Sequence, residues 1–391
     1  MQKNLDSLLE NLRAEIDVLD NELSDLLDKR LEIALKIALI KQENPIYCPK
    51  REQEILKRLS QRDFKHLNEE ILTGFYAEVF KISRKFQENA LKELKNKREL
   101  VMFEKITLAH KDLFSRFLQT QKIVLSDVSF TNCFLWQHAR LIQVAVIRDC
   151  LVIQTTYENQ KPFYFYPIGK NAHECVKELL KREKNLRFHS LTLEQKDDLK
   201  DNFVGVFDFT YNRDRSDYVY SIEELIALKG KKYHKKKNHL NQFLTNCANF
   251  VYEKISSQNR KEVLEASKEW FLESQTDDIG LINENKGIQS VLENYESLDV
   301  KGGLVRVNGE IVSFSFGEVL NEETALIHIE KARMDIAGAY QIINQQLLLN
   351  EFSHLTYANR EEDLGLEGLR RSKMSYNPVF LIDKYEAVAK N

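Results

Sequence analysis

Apolar residues recur every seven positions along the first forty residues, and this periodicity constrains the fold more than any other feature. One column holds Leu5, Leu12, Leu19, Leu26, Ile33 and Ile40, and its companion holds Leu9, Ile16, Leu23, Arg30 and Ile37. Two such columns form a continuous seam along one side of an α-helix. A helix of about 38 residues is about 57 Å long at 1.5 Å per residue. Because such a rod cannot bury its own seam, we predict that it packs against other helices and against a second copy of the chain.

The first hundred residues favour helix throughout. Gly74 is their only glycine, Pro45 and Pro49 are their only prolines, and Leu, Glu, Lys and Arg are abundant. The predicted helices cover about residues 5–42, 49–60 and 67–95. Pro49 suits the first turn of the second helix, because its fixed φ and missing N–H cost nothing there. The charged stretch at residues 92–97 marks the predicted boundary of an all-α domain over residues 1–98.

Seven residues with polar side chains lie on or beside these apolar faces. They are, in chain order, Arg13, Arg30, Lys41, Arg51, Glu52, Ser83 and Gln87. Taken singly, each cation is most simply explained as a side chain that reaches water or a surface acid. The whole set is not, because a buried charge without a partner is costly and Glu52 is the one obvious anion. The set therefore predicts a small cationic pocket, lined by helices, for a ligand with several negative charges.

Aromatic and β-branched runs replace this pattern from residue 100 onward. Runs such as KIVLSDVSF, LIQVAVI and CLVIQTTY alternate with helix-like stretches such as ECVKELLKRE. Such alternation is typical of an α/β or α+β fold. We therefore predict a multidomain chain, all-α at first and α/β afterwards.

Charge and cysteine content exclude several classes of protein. The net charge is −3, which gives no overall attraction to nucleic acid or to anionic membranes. Neither a membrane-spanning segment nor a signal peptide is predicted. The cysteines form no CxxC pair, which predicts reduced thiols, a cytoplasmic protein and no zinc site. They are Cys48, Cys133, Cys150, Cys175 and Cys247.

Three segments of the larger part carry local signals. Residues 225–243, LIALKGKKYHKKKNHLNQF, concentrate six lysines, and a solvated helix face and a polyanion-binding patch remain equally open there. Asn308 and Gly309 predict a hairpin turn. Gly338 lies between a predicted strand and a predicted helix, where free backbone amides can meet phosphate. The charged, glycine-containing segment at residues 357–378 favours a shaped site over a plain surface loop.

The stretches LRAEIDVLDNELSDLLDKRLEIALKIALIK, PKREQEIL and SRKFQ resemble the all-helical (type II) chorismate mutases. The resemblance covers almost all of residues 5–95, and its polar positions recur at matching spacing across three helices. It implies an intertwined dimer in which each active site borrows one arginine from the partner. It also implies conversion of chorismate to prephenate by a concerted rearrangement, with no cofactor and no covalent intermediate.

The same resemblance assigns roles to the binding residues. It implies that Arg13 is the borrowed arginine and holds a substrate carboxylate. Arg30 would hold another carboxylate from within the same chain, and Ser83 would touch a carboxylate. Arg51 would support the charge network. Cys48 stands where the family often has an aspartate, so this contact departs from the family pattern.

The resemblance places the chemistry on the remaining residues. Lys41 and Gln87 would both point at the ether oxygen, and Glu52 would accept a hydrogen bond from the ring hydroxyl. Negative charge grows on the ether oxygen as the carbon–oxygen bond breaks. A fixed cation and amide therefore stabilise the transition state more than the ground state. We expect the rate to depend on a charged Lys41 and on the protonation state of Glu52.

The stretches GKKYHKKKNHLNQF, HIEKA..DIAGAYQIIN and NREEDLGLEGLRRSKMSYNP resemble the C-terminal domain of phosphatidylglycerol lysyltransferases over roughly residues 100–391. The resemblance implies two tandem acetyltransferase-like (GNAT) folds, over residues 99–217 and 218–391. It implies an acyl-CoA or aminoacyl-tRNA donor, with tRNA on the basic helix. The membrane portion that accompanies a lipid acceptor is absent from the sequence. The candidate site residues are Lys235, Lys236, Asn238, Gly338, Tyr340, Arg360 and Glu361.

Three hypotheses follow. The leading one is a chorismate mutase fused to an acyl- or aminoacyl-transferase-like domain. The second is a transferase whose helical domain only dimerises the protein or senses a metabolite. The third is a nucleic-acid-binding module that uses the lysine-rich helix without catalysis. A scaffold has no reason to keep inward cations, which favours the first hypothesis.

Overall fold

The computed structural model describes residues 2–41, 47–99 and 102–390, without the side chains of residues 2–5, 39–41 and 92–99. It divides the chain into two compact units, residues 1–101 and 102–391. The first unit is all-α and the second is α/β, so the predicted fold classes are confirmed. The division of the larger part into two domains at residue 217 stays a prediction.

Three helices build the first unit, close to the predicted bounds. They are α1 (Gln2–Lys41), α2 (Pro49–Ser60) and α3 (Glu69–Glu99). Pro49 occupies the first turn of α2 as expected. The Asn68 side chain accepts a hydrogen bond of 2.9 Å from the Ile71 amide and so caps α3. Both α1 and α2 pack against α3, around buried Val79 and Phe80.

The described apolar side chains of the α1 seam are exposed within this unit. Leu12, Leu19 and Leu26 are 49%, 62% and 62% exposed, whereas the buried Ala38 lies outside the two seam columns. Leu and Ile side chains at this exposure leave an apolar stripe in contact with water, which disfavours an isolated unit.

The second unit alternates helices and strands around two sheets. Its helices are α4 (Lys111–Leu118), α5 (Phe130–Trp136), α6 (Ala172–Arg182), α7 (Leu193–Asn202), α8 (Ile222–Ala227), α9 (His234–Asn246), α10 (Arg260–Glu273), α11 (Ile279–Glu293), α12 (Ala339–Leu347) and α13 (Glu367–Met374). Its strands are β1 (Glu104–Lys105), β2 (Leu141–Ile147), β3 (Cys150–Thr156), β4 (Phe163–Tyr164), β5 (Arg187–Leu191), β6 (Phe207–Tyr211), β7 (Asp217–Ser221), β8 (Val251–Lys254), β9 (Val300–Val307), β10 (Glu310–Asn321), β11 (Thr324–Ala332), β12 (Tyr357–Asn359), β13 (Phe380–Ile382) and β14 (Tyr385–Ala389).

The two sheets share one plan. The first has the order β1-β2-β3-β4-β5-β14-β6 and the second β13-β7-β12-β11-β10-β9-β8. Each combines antiparallel pairs with one parallel pair, β4 with β5 and β11 with β12. The second sheet begins at Asp217, but β14 returns to the first sheet and lies between β5 and β6. The sheets are therefore not separated at a single point of the chain.

The predicted hairpin joins β9 to β10. Asn308 and Gly309 adopt φ values of 53° and 88°, the left-handed pair that a two-residue turn of this type requires. The strand TALIHIEKA is β11 over its whole length. These local elements follow from turn chemistry and side-chain alternation, as expected from the sequence.

A buried ion cluster joins the two halves of the second unit. Lys384, which precedes β14, is completely buried, and its Nζ lies 2.5 Å from Asp127 and 2.6 Å from Asp217. Asp217 opens β7 in the second sheet, and Asp127 precedes α5. Burial alone lowers the pKa of Lys384, but the carboxylates outweigh it and raise the pKa above its ordinary value. The cluster thus fixes the entry of β14 into its sheet.

Candidate functional sites

Arg30, Ser83 and Gln87 meet where α1 packs on α3. The Arg30 guanidinium donates to the Ser83 hydroxyl and lies 5.6 Å from the centre of the Phe80 ring. Gln87 donates from Nε2 to the Ala34 carbonyl at 2.6 Å. Ser83 and Gln87 are buried and Arg30 is half-buried. Three of the seven predicted pocket residues therefore come together, with the arginine held by a hydroxyl and a ring.

Glu52 reaches this region through an ion pair that the sequence reading missed. Its carboxylate binds the Arg84 guanidinium, which also lies 5.0 Å from the centre of the Tyr47 ring. The Glu52 side chain is 25% exposed and the Arg84 side chain is 31% exposed. The stretch SRKFQ did contain a signal for this arginine. Arg84 directly follows Ser83 and lies three residues before Gln87, close to one helical turn away.

The other predicted mutase residues lie apart from this cluster. Arg51 is exposed and pairs with Glu54 of its own helix at 3.1 Å. Arg13 is exposed on α1, and the side chain of Lys41 lies outside the described part of the chain. The Cys48 carbonyl accepts hydrogen bonds from the amides of Arg51 and Glu52 at 3.1 and 3.2 Å, as the residue that precedes α2. Its contact with a substrate stays a prediction.

The second unit contains a central cavity of about 700 Å³. Its walls come from α5, α11, α12, α13 and the ends of several strands. Three of the predicted candidates, Tyr340, Arg360 and Glu361, line it. A cavity of this volume is the size that proteins use for small metabolites and cofactors.

Arg360 is fixed at the cavity wall by an anion and two rings. Its guanidinium pairs with Glu330 and lies 4.7 Å and 5.4 Å from the ring centres of Tyr376 and Tyr220. Lys236 contacts one of these two rings, because its Nζ lies 4.0 Å from the centre of the Tyr376 ring. Burial, with Arg360 nearby, lowers the pKa of Lys236 to about 8. The Lys236 ammonium therefore gives up its proton more easily than an exposed lysine does.

Glu361 belongs to a buried chain of carboxylates around His328. Its Oε1 lies 3.0 Å from His328 Nδ1, and His328 Nε2 lies 3.1 Å from Glu318 Oε1. Thr131 donates to Glu318 at 2.7 Å, and Asn132 donates to Glu361 at 3.0 Å. Burial alone lowers the pKa of His328, but the two carboxylates outweigh it and raise the pKa to about 9. The imidazole is therefore a cation at neutral pH.

The backbone at Glu361 is strained. This glutamate has a φ of 56°, in the left-handed region that residues other than glycine seldom adopt. Strain of this kind persists where the surrounding contacts fix it, and it is found preferentially at functional sites. Lys373 supplies such contacts, because its Nζ donates to the carbonyls of Arg360, Glu361 and Glu362 at 2.5, 3.2 and 2.7 Å.

The cavity lining also contains two arginines around one phenol. The Tyr157 hydroxyl accepts from Arg140 at 3.1 Å and from Arg215 at 3.3 Å. Burial alone raises the pKa of Tyr157, but the two guanidinium groups outweigh it and lower the pKa. Arg215 also pairs with Glu362 at 3.1 Å. Neither arginine was predicted from the sequence.

The remaining candidates of the second unit have other surroundings. Lys235 and Asn238 are exposed on α9, and Asn238 lies 3.4 Å from His234 of the same helix. Gly338 has a φ of 84°, and a Cβ there would lie 2.2 Å from the His239 carbonyl oxygen. Glycine at position 338 thus lets α12 approach α9 closely, and its predicted contact with phosphate stays a prediction.

The described residues were found to contain neither a metal-binding cluster nor a membrane-spanning helix. Among residues 2–41, 47–99 and 102–390, no cluster of His, Cys, Asp and Glu side chains could hold a metal ion. In the same part of the chain, no helix has the length and apolar character needed to cross a membrane.

Two family models match the chain. The model for the C-terminal domain of phosphatidylglycerol lysyltransferase matches residues 121–388. The model for type II chorismate mutase matches residues 12–88. Both resemblances predicted from the sequence are therefore confirmed.

Two solved structures are similar to parts of the chain. A conserved protein of unknown function from Bacteroides thetaiotaomicron is 34% identical over 74% of this chain and all of its own, with a TM-score of 0.69. A chorismate mutase from Helicobacter pylori, solved in complex with prephenate, is 95% identical over 22% of this chain and 97% of its own, with a TM-score of 0.22. The sequence identity is what relates this second pair.

A third structure shows the fold of the larger part. It is the C-terminal domain (DUF2156) of a protein named as a lysylphosphatidylglycerol synthetase from Agrobacterium fabrum, 12% identical over 73% of this chain and 93% of its own, with a TM-score of 0.50. The two mixed sheets of the second unit share the fold of this domain.

Proposed function

We propose, from the premise that the chain belongs to the phosphatidylglycerol lysyltransferase C-terminal family and carries a type II chorismate mutase domain, that its helical unit converts chorismate into prephenate. The observation that carries this proposal is the meeting of Arg30, Ser83 and Gln87 between α1 and α3. Their presence in a stretch 95% identical to a chorismate mutase supports it.

The chemistry of these residues suits the rearrangement. Arg30, held by Ser83 and the Phe80 ring, is pre-oriented to bind a substrate carboxylate, which lowers the entropy that binding must remove. Gln87 would turn its amide from the Ala34 carbonyl toward the ether oxygen, beside the ammonium of Lys41. Charge develops on that oxygen in the transition state, so both groups act where they lower the barrier.

The helical unit requires a second copy in this proposal. Leu12, Leu19 and Leu26 are exposed on the seam of α1, and an antiparallel or parallel partner helix would cover them. Arg13 lies on the same helix and is exposed. A homodimer would bring the Arg13 of one chain to the pocket of the other, as the family resemblance implies.

The test is turnover of chorismate by the purified full chain, measured as loss of its absorbance. Lys41→Ala should reduce the rate at least about a hundredfold, since a lost transition-state charge contact costs about 3 kcal/mol. Lys36→Ala is the matched control, because Lys36 is an exposed lysine on the same helix that pairs with Glu32. Absence of turnover by a folded, dimeric wild type would overturn the proposal.

For the second unit we propose acyl or aminoacyl transfer in the central cavity. The GNAT-like fold and the family membership support the reaction class. Lys236, with its lowered pKa, is a candidate to accept the proton of the attacking nucleophile. Acyl-CoA and aminoacyl-tRNA are the candidate donors, and the exposed lysines of α9 suit the latter. A cytoplasmic location is part of this proposal.

One observation favours a second candidate function for the helical unit. Glu52 and Gln87 both have partners within the unit, Arg84 and the Ala34 carbonyl. A pocket whose polar groups are already paired can bind a metabolite without turning it over, and the unit would then dimerise the protein or sense chorismate. Saturable chorismate binding without production of prephenate would identify this role.

A further inference from the structure

Lys236 differs from the two lysines that flank it in the basic helix α9. It is half-buried, whereas Lys235 and Lys237 are exposed. Its Nζ lies 4.0 Å from the centre of the Tyr376 ring, and Tyr376 itself lines the central cavity. Of these three consecutive lysines, Lys236 is therefore the one that packs against a wall residue of the cavity.

No anion is in position to neutralise Lys236. Glu330 is a nearby carboxylate, but its Oε1 accepts from Asn344 at 2.7 Å and its Oε2 pairs with Arg360. Among the side chains that the structure describes, none forms an ion pair with the Lys236 ammonium. The Arg360 guanidinium lies 4.7 Å from the centre of the same Tyr376 ring. Lys236 is thus a cation placed beside a second cation.

These surroundings favour the unprotonated amine of Lys236. Burial, and after it Arg360, lower the pKa of Lys236 to about 8, while Glu330 opposes them. The Tyr376 ring attracts cations, but the same ring is already in contact with Arg360. A lysine that is partly desolvated or lies beside another cation becomes a nucleophile, because its unprotonated nitrogen has a free electron pair.

The Lys236 amine can also be reached from solvent. The described residues include five polar side-chain atoms that are both enclosed and without a hydrogen bond, and the Lys236 Nζ is not among them. No described residue forms a hydrogen bond with this Nζ, so the atom is not enclosed. A small reagent can therefore contact the nitrogen, although the half-buried side chain limits the directions of approach.

We propose that Lys236 is a modification site, at which acyl thioesters transfer their acyl group to Nζ. The unprotonated Nζ attacks the thioester carbonyl carbon, an N–C bond forms and the C–S bond breaks. The proton that Nζ loses passes through water to the sulfur, which leaves as a thiol. The product is a neutral amide, so the positive charge beside Tyr376 is lost.

This inference rests on the proposed function in one respect, since acyl-CoA, a candidate donor for the second unit, is a thioester of this kind. The same unprotonated amine that is proposed as the base of the transfer reaction then attacks the donor itself. Acylation of Lys236 removes that base, so the modification stops the transfer.

The experiment treats the folded full chain with S-acetyl-N-acetylcysteamine, a small thioester without a nucleotide. After denaturation, the remaining amines are acetylated with a deuterated reagent, and mass spectrometry of the chymotryptic peptide 234–240 gives the acylated fraction of each lysine. Lys235 and Lys237 are the matched controls, because they lie in the same peptide and are exposed.

At pH 7.5 we expect Lys236 to react at least about tenfold faster than either flanking lysine. A pKa of about 8 gives more than about a hundredfold more unprotonated amine than the ordinary value of 10.5 gives. Half-burial and weaker basicity of the nitrogen reduce this advantage. Lys236→Arg should remove the fast phase of acyl incorporation into the whole chain, and Lys235→Arg should keep it.

The pH dependence separates nucleophilicity from accessibility. The rate at Lys236 should level off above about pH 8, whereas the rate of Nα-acetyllysine in the same solution should rise up to about pH 10. A rate at Lys236 equal to or below those of its neighbours overturns the inference, and so does a rate that rises in parallel with that of Nα-acetyllysine. Neither result requires a substituted chain, so misfolding of a variant cannot produce it.

The proposed functions are judged by other measurements, namely chorismate turnover and transfer of an acyl or aminoacyl group to an acceptor. The labelling of Lys236 requires neither activity. Failure of this inference and failure of the proposed functions are therefore distinguishable.

Discussion

Raising the pH should make the second unit easier to unfold, and His328 supplies the reason. Its imidazole is completely buried between Glu318 and Glu361, at 3.1 and 3.0 Å, and its pKa is raised from 6.5 to about 9. A group whose pKa is higher in the folded state stabilises that state when protonated. The stabilisation is therefore complete below about pH 6.5 and is lost as the pH rises through about 9.

The size of the effect follows from the shift. A change of one pKa unit corresponds to about 1.4 kcal/mol, so the free energy of unfolding should fall by about 3 kcal/mol between pH 6.5 and 10. Once the imidazole has lost its proton, it no longer supplies a positive charge to the two buried carboxylates, Glu318 and Glu361. Burial raises the pKa of Glu361 above its ordinary value.

Two measurements check this prediction. Both tryptophans, Trp136 and Trp270, lie in the second unit, so their fluorescence during urea unfolding reports on that unit. Nuclear magnetic resonance of ¹³C-labelled histidines gives the titration of His328 directly.

A His328→Gln variant identifies the resonance and separates this histidine from other groups that titrate in the same range. Its unfolding free energy should change less between pH 6.5 and 10 than that of the wild type. A His328 resonance that titrates at or below pH 6.5 would refute the reasoning, because burial would then outweigh both carboxylates.

Four other substitutions test features of the fold and the helical pocket. Lys384→Met should lower the free energy of unfolding by about 3–5 kcal/mol in urea, since two buried aspartates lose their counter-ion; an unchanged midpoint would contradict this. Gly338→Ala should lower the free energy of unfolding by more than about 1 kcal/mol. Gly368→Ala, in an open helical position, should raise it by up to about 1 kcal/mol. Equal melting temperatures of the two variants would contradict the close contact of Gly338 with the His239 carbonyl. Arg84→Gln should lower kcat/KM for chorismate about three- to tenfold by releasing Glu52, and an unchanged value would remove Arg84 from the site.

The features that the sequence predicted are those that depend on local spacing. Seven-residue periodicity defines α1, and i,i+4 spacing places Ser83 and Gln87 on one face of α3. Asn308 and Gly309 define their turn without help from distant residues. Arg30 and Ser83 each interrupt an apolar face, which predicts an inward position for both side chains but not the hydrogen bond between them.

The features that the sequence did not predict depend on which distant segments meet. Asp127, Asp217 and Lys384 are far apart along the chain, and nothing local to them indicates a shared cluster. Glu318 and His328 did leave a signal, because each is a charged or titratable residue within an apolar strand, SFSFGEVL and ALIHIEKA. Polar residues at strand positions whose neighbours are buried indicate buried networks, although not the partners they choose.

The position of β14 has a consequence for the synthesis of the protein. This strand completes the first sheet between β5 and β6, yet it follows every strand of the second sheet along the chain. Until residues 385–389 leave the ribosome, β5 and β6 therefore each have an unpaired edge. Unpaired strand edges are sites of chaperone binding or aggregation. A nascent chain that stalls before this point keeps unpaired strands in its first sheet, which is the part made earliest, and cellular quality control can detect them.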